Sequence, residues 1–167
     1  MNSELITLIA NIALTLSFIA ALIFGIAQTR AAAQDRKERF TLETMRNFQT
    51  HEFCQLMYFI NNIAMPATRA EMQLLPAKEQ VNLIHFAQIM ESVGLQVAEK
   101  LIDIDLVDKT LGSYVITSWE KYKLMFEDVR KTAPDPFLGE YFQWLAERLD
   151  ERMAKAPRKP FFERKLE

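Results

Sequence analysis

From Leu5 to Ala27 the chain runs for 23 residues without a charged side chain, most of them Leu, Ile, Ala and Phe. As an α-helix rising ~1.5 Å per residue this stretch is about 35 Å long, enough to cross a hydrocarbon core of about 30 Å. Buried helices of soluble proteins rarely sustain so long an unbroken apolar run, so the segment is expected to span a membrane. A cleaved signal peptide is the nearest competitor, with Ala31, Ala32 and Ala33 as a small-residue cleavage site. Against it, Glu4 rather than Lys or Arg precedes the run, which is longer than the roughly 7–15 residues of a secretory apolar core. The segment is therefore read as retained.

The flanks set the orientation. Arg30, Arg36, Lys37 and Arg39 follow the run closely, and no Lys or Arg precedes it. The positive-inside rule then leaves a short N-terminus outside and carries the rest of the chain into the cytoplasm. The expected organisation is a transmembrane anchor at 1–29, a juxtamembrane helix at 30–49, a helical bundle at 50–153 and a basic tail at 154–167. All 20 basic side chains and 21 of the 22 acidic ones follow the span, so the cytoplasmic part is near-neutral. That balance gives no reason to expect nucleic-acid binding, and a single cysteine excludes an intramolecular disulfide.

Lipid alone does not require the pattern within the span. Ala13, Ser17, Ala21 and Gly25 recur every four residues, a strip of small side chains that lets another helix approach closely. Thr7, Asn11 and Thr15 form a polar strip on a different face. Small residues are tolerated in any span, and threonine hydroxyls can bond back to their own helix, but the Asn11 amide lacks that easy option. The helix is expected to pack against partners, either its own copies or the subunits of a larger complex.

The remainder reads as helices. Residues 31–47 contain no Gly or Pro and are rich in good helix formers, so the span is expected to continue into the cytoplasm. Thr50 is placed to cap a helix over 51–63 with Phe53, Leu56, Met57, Ile60 and Ile63 inward. Between Pro66 and Pro76, the Thr68–Glu71 spacing predicts a short capped turn. A widely apolar helix over 77–101 follows, carrying Leu83, Phe86, Met90, Val93, Val97 and Leu101. Its polar residues Lys78, Asn82, His85, Ser92, Gln96 and Glu99 share one narrow stripe. Asp105 is expected to cap a short helix ending before Gly112, and Ser113 to start another along the seam Val115, Trp119, Tyr122, Phe126 and Val129. That helix should stop over Thr132–Pro136, and the last should follow Asp135-Pro136 with Leu138, Phe142, Leu145, Leu149 and Met153 inward. No alternating β pattern of useful length, internal repeat or domain linker interrupts the series. The fold class is all-α: one N-terminal transmembrane helix followed by a cytoplasmic helical bundle.

From Arg152 to Lys165 six basic residues stand against Glu163, a net charge of +5, with Pro160, Phe161 and Phe162 among them. Arg158, Lys159, Phe161 and Phe162, with Arg36, Lys37 and Arg39 at the other flank, are candidates for a contact with anionic lipid or with a partner. A solvated end is the bland alternative.

A chemical site is harder to find. His51 and Cys54 lie one helical turn apart but lack a second ligand pair, so a surface histidine and a packed cysteine are expected. Asp103, Asp105 and Asp108 lack the Gly and distal Glu of a calcium loop and read as helix capping. His85 has no evident partner for general-base work. No phosphate-binding glycine loop, nucleophile elbow or zinc-protease motif occurs. Met65, Met72, Met90 and Met125 read as gap-fillers, and Trp119 and Trp144 as core or interface anchors. No catalytic, cofactor or metal residues are assigned, and no enzyme activity is expected.

The order Phe86, Met90-Glu91-Ser92-Val93-Gly94, Ile102-Asp103, Trp119, Arg130 and Tyr141-Phe142-Gln143-Trp144-Leu145-Ala146 resembles a family of uncharacterised bacterial proteins, a domain-of-unknown-function group. The resemblance spans about residues 80–150 and implies one membrane helix, a small helical cytoplasmic domain and a bacterial inner-membrane setting. It supplies no catalytic residues. This chain departs from the pattern in having Lys100 and Leu101 where a glycine would precede the turn. Physically, Gly94 lets a neighbouring helix approach, Trp119 fills the bundle and Arg130 caps carbonyls at its helix's end. The expected role is a non-catalytic accessory or scaffolding subunit of a membrane complex. The alternative is a homo-oligomeric membrane-anchored adaptor that recruits a soluble regulatory partner.

Overall fold

The computed structural model describes residues 2–132 and 135–163, and every described element is helical. Its contacts divide into two compact units, Met1–Phe40 and Thr41–Glu167. Ala133 and Pro134, half of the expected helix stop, lie outside the described residues, as do Arg164 and Lys165 of the basic tail.

The first unit consists of the greater part of α1, which is helical from Asn2 to Asn47. Every side chain from Ser3 to Arg36 is exposed. The helix is long and apolar enough to cross a membrane, reaching a mean hydropathy of 2.3 over a window that is 0% buried.

In the second unit the end of α1 packs with α2 (His51–Asn62), α3 (Arg69–Leu74), α4 (Ala77–Ala98), α5 (Ile104–Thr132) and α6 (Glu140–Lys155). Thr41, Thr44 and Met45 at the end of α1 are buried, and the Thr44 hydroxyl donates to Gln96 Oε1 on α4 at 3.2 Å. Thr50 caps α2 by accepting from Phe53 N at 3.2 Å, and Phe53, Leu56, Met57 and Ile60 turn inward. Thr68 accepts from Glu71 N at 3.2 Å, while the Glu71 carboxylate reaches back to Ala67 N at 2.7 Å. The end of α2 and the start of α3 also depend on α5. Lys121 Nζ donates to the Ile60 and Asn61 carbonyls at 2.9 and 2.8 Å, and Asp128 accepts from Arg69 N at 2.9 Å.

Several expectations change here. α4 ends at Ala98 rather than Leu101 because the backbone turns left-handed at Lys100, φ 59°. Leu101 N then donates to Gln96 O at 2.9 Å and Lys100 N to Val97 O at 3.0 Å, the paired bonds of a Schellman stop. Leu101 is consequently 49% exposed, and Ile102 takes the buried position. α5 is one helix of 29 residues, not two. An interior glycine costs about 1 kcal/mol relative to alanine, but Val107 and Leu111 before Gly112 and Val115 and Trp119 after it are all buried on one seam, which outweighs that cost. Asp103, not Asp105, starts α5: its carboxylate accepts from Asp105 N at 2.8 Å. Met153, expected inward at the end of α6, is 40% exposed because the last buried side chain of that helix is Leu149.

The core is an aromatic cluster shared by α4, α5 and α6. Phe142 meets Trp119 edge-on at 5.3 Å between centroids, and Phe86 stacks on Tyr122 at 5.8 Å. Such pairs contribute roughly 0.5–1.5 kcal/mol each beyond their burial. α4 and α6 come together at Gly94, where an added Cβ would stand 2.2 Å from the Tyr141 carbonyl oxygen. One turn earlier, the Glu91 carboxylate accepts from Tyr141 N at 3.3 Å and Phe142 N at 2.8 Å, satisfying the open N-terminus of α6. Gly139, φ 72°, leads into that terminus with the Phe126 ring 3.1 Å from where its Cβ would be.

Gly94→Ala should therefore lower stability by about 2–3 kcal/mol, and Glu91→Gln by about 1 kcal/mol, in urea melts followed by near-ultraviolet circular dichroism. A Gly94→Ala chain as stable as the parent would refute the close crossing. Lys100→Gly should raise stability by about 1 kcal/mol in the same melts, because the left-handed stop no longer strains a side chain.

The Tyr122 hydroxyl donates to the Leu83 carbonyl at 2.9 Å inside the core, and burial holds its pKa far above the ordinary phenol value. The folded chain keeps this proton where the unfolded chain loses it, so stability is intact below about pH 10 and declines as the pH rises beyond it. In an alkaline titration the Tyr122 phenolate should appear only together with unfolding, and Tyr122→Phe should remove that step.

Candidate functional site

On α1 the polar strip resolves into two kinds of residue. Thr7 donates to the Ser3 carbonyl at 2.9 Å and Thr15 to the Asn11 carbonyl at 2.8 Å, so both hydroxyls are spent on their own helix. The Asn11 side chain makes no hydrogen bond among the described residues. Its amide offers two donors and an acceptor. Ala13, Ser17, Ala21 and Gly25 are all exposed, and the space over Gly25 is open to 4 Å. The described chain therefore supplies no partner for either strip. Past the strips, Arg36 and Arg39 are exposed and Lys37 is half-buried on the same helix.

The polar stripe of α4 has a definite place. Lys78, Asn82, His85, Ser92 and Gln96 line one wall of an open cleft of about 1140 Å³. Asn47, Thr50, Glu52 and Gln55 supply the opposite wall, and Phe53, Leu56, Phe59, Ile89 and Val93 give it apolar patches. The cleft's ionisable groups are Lys78, Glu52, Glu79 and His85, a near-balanced set beside neutral amides. It is suited to hydrogen-bonding a polar surface rather than concentrating one sign of charge. Sequence reasoning groups these residues without finding their role. The available signal is that half of the stripe, Asn82, Ser92 and Gln96, carries amides or a hydroxyl in place of the Lys and Glu usual on a solvated helix face. A second, apolar pocket of about 240 Å³ lies between α3, α4 and α5, with Met72, Leu83, Ile84, Met125 and Val129 on its wall.

The remaining candidates separate. His51 is exposed and its Nε2 lies 2.9 Å from the Gln55 amide nitrogen. Cys54, expected to be packed, is exposed on α2, because the buried positions of that helix are Phe53, Leu56, Met57 and Ile60. The three clustered aspartates serve different contacts. Asp103 starts α5, Asp105 pairs with Arg152, and Asp108 stands 4.0 Å from Arg158. The exposed Asp105–Arg152 pair contributes about 0–1 kcal/mol, while the Asp108 side chain is mostly covered. No group of acidic, histidine or cysteine side chains suited to a metal ion occurs among the described residues. Met90 and Met125 are buried, with Met65 and Met72 packed against the core. Trp119 is buried, while the partly buried Trp144 carries the Arg148 guanidinium 5.9 Å above its ring.

Arg130 does more than end its own helix. Its Nε donates to the Leu138 carbonyl at 2.8 Å and its Nη1 to Gln143 Oε1 at 2.6 Å, tying the end of α5 to the start of α6. Phe161 and Phe162 sit in a short 3₁₀ turn, Phe161–Glu163, and are 75% and 86% exposed, with Lys159 also exposed.

Comparison with curated proteins and with solved structures gives no match. A family model does match, over residues 14–149, which include more than half of the apolar run and the Gly94, Arg130 and Tyr141-Phe142 positions. The chain belongs to the family of the domain of unknown function DUF4760.

Proposed function

We propose that the chain is a non-catalytic accessory or scaffolding subunit of a larger protein complex in a bacterial inner membrane. In this reading α1 crosses the bilayer once, with its short N-terminus outside and the bundle in the cytoplasm. The observation that carries it is the N-terminal helix itself: apolar, exposed from Ser3 to Arg36, with an unanswered Asn11 amide on one face and an open strip of small residues on another. An amide in hydrocarbon is costly unless another helix answers it, and small side chains allow that helix to come close. The family match begins at residue 14, inside the apolar run, so most of that run belongs to what the family shares. Orientation rests on Arg30, Arg36, Lys37 and Arg39 following the span. The partners are membrane protein subunits and the lipid bilayer, with no role for nucleic acid.

The polar cleft favours a second reading, a homo-oligomeric anchored adaptor that seats a soluble regulatory partner between α2 and α4. One experiment separates the two. The tagged chain is extracted from its native membrane in mild detergent and co-purifying chains are identified by mass spectrometry. Stoichiometric membrane subunits, lost from the Ala21→Leu/Gly25→Leu double variant, are the expected result. Self-association alone, lost in the same variant, would establish the adaptor, and recovery of an isolated chain would overturn both.

A further inference from the structure

Between α3, α4 and α5 lies an apolar pocket of about 240 Å³ that no described side chain fills. The buried Leu83, Met125 and Phe126 form its floor, and the half-buried Met72, Ala87 and Val129 form its walls. Ile84 also lines it and is 46% exposed, so the pocket opens to the surface. Two of the lining residues are ionisable, Arg69 and Glu91. Glu91 is already the acceptor for Tyr141 N and Phe142 N. Arg69 begins α3 at the surface, where Asp128 accepts from its backbone amide, and its guanidinium makes no ion pair or hydrogen bond among the described residues. We propose that the pocket binds a single-chain carboxylate of roughly eight to ten carbons, with the chain inside and the carboxylate held by Arg69 at the mouth.

Size selects a single chain. A cavity of about 150 Å³ suffices for the six carbons of benzene, so this one takes a few more. A partner helix, about 10 Å across, is too wide to enter, and a two-chain lipid would leave one chain outside. The lining selects an aliphatic occupant. Floor and walls are hydrocarbon and thioether, so water inside lacks the roughly two to four polar partners that would hold it and is readily displaced. The flexible side chains of Met72 and Met125 let the pocket mould to an unbranched chain. Charge selects the head group. Glu91 is committed to the N-terminus of α6, which offsets its charge, and the uncommitted ionic group is the Arg69 guanidinium, whose planar fork matches a carboxylate. The pocket belongs wholly to the second unit, so the inference stands whether or not α1 spans a membrane.

The test photolabels the full chain, held in phosphatidylcholine nanodiscs, with decanoate carrying a diazirine at its chain end, and maps the adducts by mass spectrometry. The expected result is labelling of the peptides that hold Met72, Ile84 or Met125. Unlabelled carboxylates should suppress it with an affinity that rises by up to about fourfold per added methylene from hexanoate to decanoate and then levels off as the pocket fills. Arg69→Gln should weaken decanoate about tenfold and leave decanol unchanged. Ile84→Glu, at a partly exposed position, and Ala87→Phe, which fills the cavity, should each remove the label, with near-ultraviolet circular dichroism reporting that the fold is kept. Labels confined to α1, or suppression that keeps rising beyond dodecanoate, would mean partition into the bilayer and overturn the proposal. So would a folded Ile84→Glu or Ala87→Phe chain that labels like the parent, or an Arg69→Gln chain that binds decanoate as the parent does. Pocket labelling by a phosphatidylcholine with the diazirine on one acyl chain, and none by free decanoate, would assign the site to bilayer lipid and overturn it as well.

Discussion

The bundle depends on how closely α4 and α6 approach, and the approach is set by one missing carbon. At Gly94 the Tyr141 backbone occupies the space any other residue would need, so the helices meet backbone to backbone instead of side chain to side chain. That proximity brings Glu91 within reach of the first amides of α6 and seats Phe142 among Phe86, Trp119, Tyr122 and Phe126. Widening the crossing would loosen the cap and the aromatic cluster together. The Gly139 turn and the Arg130 tie from α5 to Leu138 and Gln143 hold the other side of the same junction.

Much of this is legible from residue spacing. The Thr50 and Thr68 caps and the inward faces of α2, α5 and α6 follow from local pattern, because a helix records its buried face every third or fourth residue. Long-range features leave weaker traces. Glu91 looks like an ordinary polar residue on an apolar helix until α6 lies over it. Gly112 looks like a helix break until the seam on both sides is seen to be continuous. Lys100 hides a left-handed stop that a glycine would have announced. Arg130 sits at the helix end its position predicts but serves other carbonyls, since its acceptors lie beyond a connection whose path the spacing does not encode. The polar cleft escapes sequence reasoning because a stripe on one helix does not reveal the second wall.

α1 obeys two sets of rules along one continuous helix. Up to Arg36 its side chains find no cover among the described residues, and its apolar character calls for a covering from outside the chain. From Thr41 it contributes Thr41, Thr44 and Met45 to the bundle interior, where Met45 also receives the Thr110 hydroxyl at 3.1 Å. In the proposed role this makes α1 both the anchor and a structural member of the domain it anchors.

Three of the helix ends in the bundle are finished by another helix. Glu91 on α4 serves α6, Lys121 and Asp128 on α5 serve α2 and α3, and Arg130 serves the entry to α6. Each of these polar contacts exists only when two separate elements are already in place, so these termini are not satisfied by their own helices alone. Short helices are marginal in isolation, and here their boundaries are also borrowed. The bundle is thereby built to come apart cooperatively, with little scope for one helix to peel away while the rest persists.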